Sequence, residues 1–170
     1  FVSISPDART FATSGKYGDQ AIRLWNLKSG RLVRDLPIPK AAGANGGAYG
    51  IGRTTFSPDG KLIAAESWWE DTRGKPEYPR FYAIQLVNLS TGHVNATLSI
   101  PKADQYGYGS PNVVFSPDSN SVALIGGKDR SVYIMDTANA NVLSKIGTQV
   151  TACKFSADGR WLVVAEYNHM

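Results

Sequence analysis

Cysteine is nearly absent from this chain of 170 residues, in which Cys153 is the single thiol. A disulfide within the chain is therefore excluded. Because free cysteines are usually buried and Cys153 lies in an apolar, strand-like stretch, we expect a plain buried thiol. Long apolar runs are also missing, since no stretch approaches the roughly 18 residues that a membrane-spanning helix needs. We therefore expect no membrane span.

Charge of one sign is not concentrated anywhere in the sequence. The 18 basic and 14 acidic residues give a net charge of +4. A nucleic-acid-binding protein needs its basic residues clustered on one face or stripe, and no Lys/Arg run is present. We therefore expect no nucleic-acid partner.

Residues arranged for catalysis are equally scarce. The two histidines are His93, in a predicted turn, and His169, and neither pairs with Cys153 at a spacing typical of a nucleophilic pair. Ser99 and Lys102 match a Ser-x-x-Lys pattern, which needs a helix that the intervening Ile-Pro forbids. The acids at 70, 71 and 77 have no specific metal-ligand spacing. We expect no enzyme, no cofactor and no metal.

A short phrase built on Ser-Pro-Asp occurs four times along the chain. The copies are Ser5-Pro6-Asp7, Phe56-Ser57-Pro58-Asp59-Gly60, Phe115-Ser116-Pro117-Asp118 and Phe155-Ser156-Ala157-Asp158-Gly159. Proline presets the second position of a turn, and aspartate bonds back to local backbone. Each copy lies between two short apolar stretches, and the last two copies are separated by about the length of one four-stranded propeller blade. The pattern predicts a repeated hairpin and no long helix.

Two segments that follow the first and third copies indicate the type of repeat more specifically. Residues 18–30 read GDQAIRLWNLKSG, and residues 127–136 repeat this more weakly with Met135 at the tryptophan position. The first segment resembles the central signature of the WD-repeat β-propeller family, with Asp19 at the turn aspartate and Trp25-Asn26 standing for Trp-Asp. The Gly-His pair typical of that family does not precede any first strand.

The resemblance implies an all-β protein made of four-stranded antiparallel blades, and it covers essentially the whole chain as one partial propeller domain. We expect blades at about 1–36, 53–100 and 112–146 and a half blade at 150–167. Propellers usually close with four to eight blades, so the sequence, which begins at Phe1, is interpreted as a fragment of a larger propeller. The remaining blades would come from the same longer chain or from a second copy.

Three insertions are expected on one face of this propeller, at 37–52, 68–80 and 101–111. Long loops on a rigid scaffold usually carry binding residues, and Trp, Tyr and Arg dominate binding hot spots. The predicted partner-binding residues are Tyr49, Arg53, Trp68, Trp69, Arg73, Lys75, Tyr78, Arg80, Tyr106 and Tyr108. Two alternatives to a binding role stay open. In the first, Trp68 or Trp69 finishes a strand and packs on a neighbouring blade. In the second, the Ile-Pro-Lys-Ala sequence shared by the first and third insertions reflects duplicated loop packing.

The sequence therefore favours a non-catalytic scaffold that binds a protein or peptide through the face carrying the long loops. The alternative is an extracytoplasmic propeller that binds a small ligand or acts as an enzyme through residues in the missing blades. Apart from Arg53 and Lys154, the first strands offer no charged side chains for chemistry, which favours the scaffold. A cytoplasmic location is favoured over an extracytoplasmic one, which would require a lost signal segment.

Overall fold

The computed structural model describes residues 1–15, 18, 20–40, 49–70, 80–98, 112–127 and 129–167. These residues form strands joined by turns and contain no helix. The strands are β1 (Val2–Ile4), β2 (Thr10–Ser14), β3 (Ala21–Asn26), β4 (Leu32–Pro37), β5 (Tyr49–Phe56), β6 (Leu62–Glu70), β7 (Arg80–Asn88), β8 (Val94–Leu98), β9 (Asn112–Phe115), β10 (Ser121–Gly126), β11 (Ser131–Asp136), β12 (Val142–Ile146), β13 (Val150–Phe155) and β14 (Leu162–Glu166).

The strands pair with their neighbours in chain order. Three antiparallel sheets have four strands each, β1–β4, β5–β8 and β9–β12, and β13 pairs with β14 in a fourth sheet of two described strands. The expected all-β architecture of four-stranded antiparallel blades is therefore confirmed. The sheets occupy residues 2–37, 49–98, 112–146 and 150–166.

The repeated Ser-Pro-Asp phrase forms the hairpin between the first two strands of each sheet. In the second sheet the Ser57 hydroxyl donates to Asp59 Oδ1 at 2.6 Å and accepts the Leu62 N–H at 2.9 Å. Asp59 Oδ1 also accepts the Lys61 N–H at 3.0 Å. The copies at Ser5, Ser116 and Ser156 make the same contacts. The predicted bond from the aspartate to local backbone is confirmed in all four hairpins.

The residue after each aspartate adopts the left-handed conformation, with φ of 54° at Ala8, 70° at Gly60, 64° at Ser119 and 72° at Gly159. Glycine occupies this conformation without a steric penalty, which explains Gly60 and Gly159. Ser119 adopts it while its hydroxyl accepts the Asp59 N–H at 3.1 Å. The second and third hairpins are thereby joined.

Neighbouring sheets pack face to face through alternate residues. β6 turns Ile63 and Ala65 toward the first sheet, where they pack in one cluster with Ala12 and Ile22. The intervening Ala64 lies instead in the cluster shared with the third sheet. A further cluster joins the third sheet to the fourth and contains Cys153, which is buried as expected. The period of two along each strand is what covers both faces of a blade.

Arg34, in the last strand (β4) of the first sheet, links this sheet to the turn that follows β7. Its guanidinium donates to the carbonyl oxygens of Leu89, Ser90 and Thr91 at 3.2, 3.2 and 2.8 Å. Gly92 in this turn has φ of 79°, and a Cβ atom there would overlap the guanidinium. The positive φ favours glycine at position 92, and a larger residue there would also force the end of the Arg34 side chain to shift.

The outer face of the first sheet is not covered by another sheet of the described residues. Phe11 and Trp25 stack on this face with ring centroids 6.1 Å apart, and the Trp25 indole N–H donates to Thr13 Oγ1 at 2.8 Å. Val2 and Ile4 on the same face are largely exposed. An exposed apolar sheet face marks an interaction surface, as expected of an open propeller fragment.

Two of the predicted insertions are shorter than the sequence indicates. The residues 49–52, assigned to the first insertion, open β5, where Tyr49 pairs with Trp69 and Gly50 with Trp68. Residues 68–70 of the second insertion finish β6, and Arg80 begins β7. The glycines at 50 and 52 suggested a loop. In the structure, cross-strand pairing with Trp68 and Trp69 extends the β5–β6 hairpin so that it includes both glycines.

We expect Ser57→Ala to lower the free energy of unfolding by about 1–2 kcal/mol, because a buried hydroxyl that serves as both donor and acceptor is lost. Ser156→Ala removes the same contacts from an exposed hairpin, and we expect a loss of about 0.5 kcal/mol or less. Urea unfolding followed by circular dichroism measures both values. Equal losses in the two variants would contradict the assigned role of burial.

The hairpin aspartates also predict how stability depends on pH. Hydrogen bonds from the serine hydroxyls lower the pKa of Asp7, Asp118 and Asp158 below 3.8. Burial raises the pKa of Asp59, but bonds from Ser57 and Lys61 outweigh this and its pKa is also lowered. The folded state then binds fewer protons than the unfolded state, so this stabilisation is present above about pH 5 and is lost as pH falls through the folded pKa values.

We therefore expect the urea midpoint to fall between pH 5 and about pH 3. In a variant carrying asparagine at all four positions the fall should be smaller, because these carboxyl groups no longer titrate. An equally steep fall in that variant would show that other acids dominate the acid response.

Candidate functional site

The predicted partner-binding residues are only partly described by the structure. Tyr49 and Arg53 lie in β5, Trp68 and Trp69 in β6, and the backbone of Arg80 begins β7. The side chain of Arg80 and the whole of Arg73, Lys75, Tyr78, Tyr106 and Tyr108 lie outside the described residues. Asp19 of the WD-like segment also lies outside them.

The aromatic members of the described set are buried. Tyr49, Trp68 and Trp69 expose only 3, 8 and 9% of their surface. Tyr49 and Trp69 pack together with Ala83, and Trp68 covers Gly50 so closely that a Cβ atom there would lie 2.6 Å from the indole. The two tryptophans lie near the end of β6, as the alternative expected, but the contacts described here are with β5 and β7 of the same sheet, whereas the alternative placed them against a neighbouring blade.

Tyr49 also anchors the chain after β4. Its hydroxyl donates to the Pro39 carbonyl oxygen at 3.2 Å, and the Gln85 amide donates to the same oxygen at 2.8 Å. Burial raises the pKa of Tyr49 to about 12, against a smaller lowering by the Ser67 hydroxyl. Tyr49 is therefore a neutral hydrogen-bond donor at physiological pH.

Arg53 differs from these aromatic residues because its side chain is exposed and lines a cleft. The cleft lies between the second and third sheets and has a volume of about 30 Å³. Its walls are Arg53, Thr55, Ala64, Glu66, Ile84, Asn112 and Val113. A space of this size admits one or two water molecules or one small polar group.

A glutamate forms part of the cleft wall although it is 95% buried. Glu66 exposes 5% of its surface and accepts the Arg53 backbone N–H at Oε2 over 3.4 Å. The β5–β6 register shifts between Ile51 and Thr54, so Gly52 and Arg53 form a bulge opposite Glu66. A Cβ atom on Gly52 would lie 2.8 Å from the carboxyl carbon. The glycine bulge is what makes room for the acid.

The other blades have different chemistry at the position of Glu66. Counting from the hairpin, the equivalents in the first and third sheets are Ser14 and Ile125. Ser14 donates to the Gly52 carbonyl oxygen at 2.5 Å, and Ile125 packs in an apolar cluster with Val150. At this position a carboxylate is thus present in the second sheet, whereas the first and third sheets have a hydroxyl and an aliphatic side chain.

The cleft lies toward the end of the sheets that carries the long insertions. Glu66 is in the second half of β6, whose last residue precedes the segment 71–79, and Asn112 is the first residue of β9, directly after the segment 99–111. The Ser-Pro-Asp hairpins lie at the opposite end of the same strands. Sequence reasoning found Arg53 but missed Glu66, whose signal is a lone acid inside an otherwise uncharged stretch of β6.

Among the described residues, no group of three or more His, Cys, Asp or Glu side chains is placed to hold a metal ion. The same part of the chain contains no helix with the length and apolar character needed to cross a membrane.

Comparisons with known proteins agree with this architecture. Residues 141–170 match the family model described as WD domain, G-beta repeat. No curated protein sequence matches the chain. Among solved structures, a chain of Kuenenia stuttgartiensis hydrazine synthase is similar with a TM-score of 0.70 and 17% identity, covering 98% of this chain and 55% of that one.

A chain from a crystal structure of the mitotic checkpoint complex is similar with a TM-score of 0.59 and 18% identity, covering 97% of this chain and 45% of that one. The chain thus spans about half the length of these structures. At such identities the likeness is one of fold and not of activity. The chain therefore has the fold of a partial β-propeller made of four-stranded antiparallel blades, and its residues 141–170 match the model of a WD40 repeat.

Proposed function

We propose that the protein is a non-catalytic scaffold that binds a protein or peptide at the end of the sheets carrying the long insertions. The observation that carries the proposal is the cleft between the second and third sheets, where exposed Arg53 and buried Glu66 lie together. A rigid sheet wall with a few convergent polar groups is the usual form of a recognition site.

The fold supports this proposal in a general way, because WD40 propellers typically bind other proteins. The buried aromatic residues support it because they hold part of the proposed binding surface in place. Tyr49 and Trp69 pack into the extended β5–β6 hairpin, so the wall that ends in the segment 71–79 is held in place. In the proposal, that wall presents Arg73, Lys75, Tyr78 and Arg80 to the partner, and Tyr106 and Tyr108 approach from the adjacent segment.

The remaining blades are part of the proposal. The exposed face of the first sheet requires a covering blade, since Val2 and Ile4 lie exposed beside Phe11 and Trp25. We propose that this blade belongs to the same longer chain or to a second copy. The partner site then lies within a closed ring and away from this face.

We expect Arg53→Gln to weaken binding of a selected peptide about tenfold, the usual cost of removing one charged hydrogen-bond donor. Peptides would be selected from a random displayed library against the purified chain, and affinities measured by fluorescence anisotropy. Lys28→Gln is the matched control, because Lys28 is an exposed cation in the β3–β4 turn at the opposite end of the sheets. Both variants should keep the parent's thermal unfolding midpoint.

Arg73→Glu and Arg80→Glu should weaken the same peptides without lowering stability. Selection of no peptide, or affinities indifferent to all three arginine variants, would overturn the proposed function. A loss of stability with retained binding would instead assign these arginines to the fold.

A further inference from the structure

We propose that Arg53, Thr55 and Asn112 bind a carboxylate group of the partner at the cleft between the second and third sheets. This inference rests on the proposed function and names the chemistry that the cleft recognises. It starts from three exposed side chains, on two neighbouring blades, that line one cleft. A guanidinium, a hydroxyl and a side-chain amide can each donate hydrogen bonds.

These donors are not used within the part of the chain that the structure describes. There, the Arg53 guanidinium, the Thr55 hydroxyl and the Asn112 side-chain amide form no hydrogen bond or ion pair. Arg53 does use its backbone N–H, which donates to Glu66 Oε2 at 3.4 Å. Donors from two blades are therefore available to a ligand in the cleft.

Glu66 lines the same cleft, yet the Arg53 guanidinium does not pair with it. The register of β5 and β6 shifts between Ile51 and Thr54, so Gly52 and Arg53 together lie opposite Glu66. The carboxyl group of Glu66 fills the space beside Gly52 and has a further interaction within the chain. The acid is thus engaged and 5% exposed, whereas the arginine is exposed.

The extra residue in β5 explains why the arginine and the acid do not pair. In a regular antiparallel pair, directly opposite residues have Cβ atoms about 4.5–5.5 Å apart, and opposite charges at such positions attract. Without Gly52, Arg53 would lie directly opposite Glu66. A bulge of one residue re-aims a side chain, and here it leaves the guanidinium available to a ligand.

A carboxylate suits these donors better than a phosphate. The guanidinium is a planar fork that binds both oxygens of a carboxylate at once. A phosphate monoester carries a charge of about −1.5 to −2, which one arginine beside the Glu66 carboxylate does not balance. Arg53 is the one cation among the residues that line the cleft, and a singly charged anion matches it.

The carboxylate can come from an acidic side chain or from the C-terminus of the bound peptide, and separate probes distinguish the two sources. Nα-acetyl-glutamate N-methylamide carries the first, and Nα-acetyl-alanine carries the second. The neutral controls are Nα-acetyl-glutamine N-methylamide and Nα-acetyl-alanine N-methylamide, which keep the same shapes without the charge.

Each probe is titrated into the full ¹⁵N-labelled chain, and the Arg53 Nε–H and Asn112 side-chain amide signals are followed by NMR. We expect at least one acid probe to saturate with a dissociation constant on the order of 10 mM, as suits so few atoms. Its neutral control should not saturate. The affinity should fall at high salt, because the charges are exposed and screened.

Arg53→Gln should weaken the acid probe at least about tenfold, because a charged donor is removed. Arg31→Gln is the matched control, since it makes the same change at an exposed arginine in the β3–β4 turn, at the opposite end of the sheets. The control variant should bind like the parent.

Deletion of Gly52 tests the role of the bulge. Arg53 would then lie opposite Glu66 and pair with it, so we expect the acid probe to bind several-fold more weakly. Glu66→Gln in the same deletion variant removes the competing acid and should restore binding, which general damage to the fold would not allow. Circular dichroism checks that both variants fold, and Arg53→Gln decides the inference if they do not.

The outcomes separate this inference from the proposed function. Absence of saturable binding by both acid probes, equal binding of the neutral controls, tighter binding of methyl phosphate, or insensitivity to Arg53→Gln overturns the carboxylate site. Selected peptides that depend on Arg53 but lack both an acidic residue and a free C-terminus leave the scaffold standing and also overturn it. If no peptide is selected but an acid probe saturates and needs Arg53, the carboxylate site stands and the scaffold is overturned.

Discussion

Burial of both faces of a β-sheet is the constraint on which the rest of this structure depends. A strand sends alternate side chains to opposite faces, so the second sheet can be covered only by a neighbour on each side. β6 shows this at single-residue resolution, with Ile63 and Ala65 in one cluster and Ala64 in the other. Among the described residues the first sheet has one such neighbour, and its other face exposes Val2 and Ile4. The alternation that covers both faces of the second sheet thus leaves apolar side chains exposed on one face of the first.

Much of the architecture could be predicted because the hairpin chemistry is local. The Ser-Pro-Asp phrase contains its own donors and acceptors within a few residues, as the contacts of Ser57 and Asp59 show. The all-β blades and the buried Cys153 follow from such local patterns. Local patterns were also misleading for the first insertion. The glycines at 50 and 52 indicated a loop, whereas these residues belong to β5.

The candidate site was less predictable because its geometry depends on pairs that are distant in the sequence. Tyr49 reaches Trp69 only across a strand pair that propensity alone does not reveal. Glu66 and Asn112 line one cleft from two neighbouring blades, so this cleft exists only after the sheets have packed. Arg53 was among the predicted partner-binding residues, at the end of the first predicted insertion. Glu66 was missed because its significance comes from the glycine opposite.

The packing of Gly52 against Glu66 has a consequence for how sequences of this kind can vary. A side chain at position 52 and a carboxyl group at position 66 compete for one volume, since a Cβ atom would come within 2.8 Å of the acid's carbon. We therefore expect the two positions to vary together in related sequences. Where the acid at position 66 is replaced by a smaller residue, a side chain at position 52 no longer competes with it for the same volume.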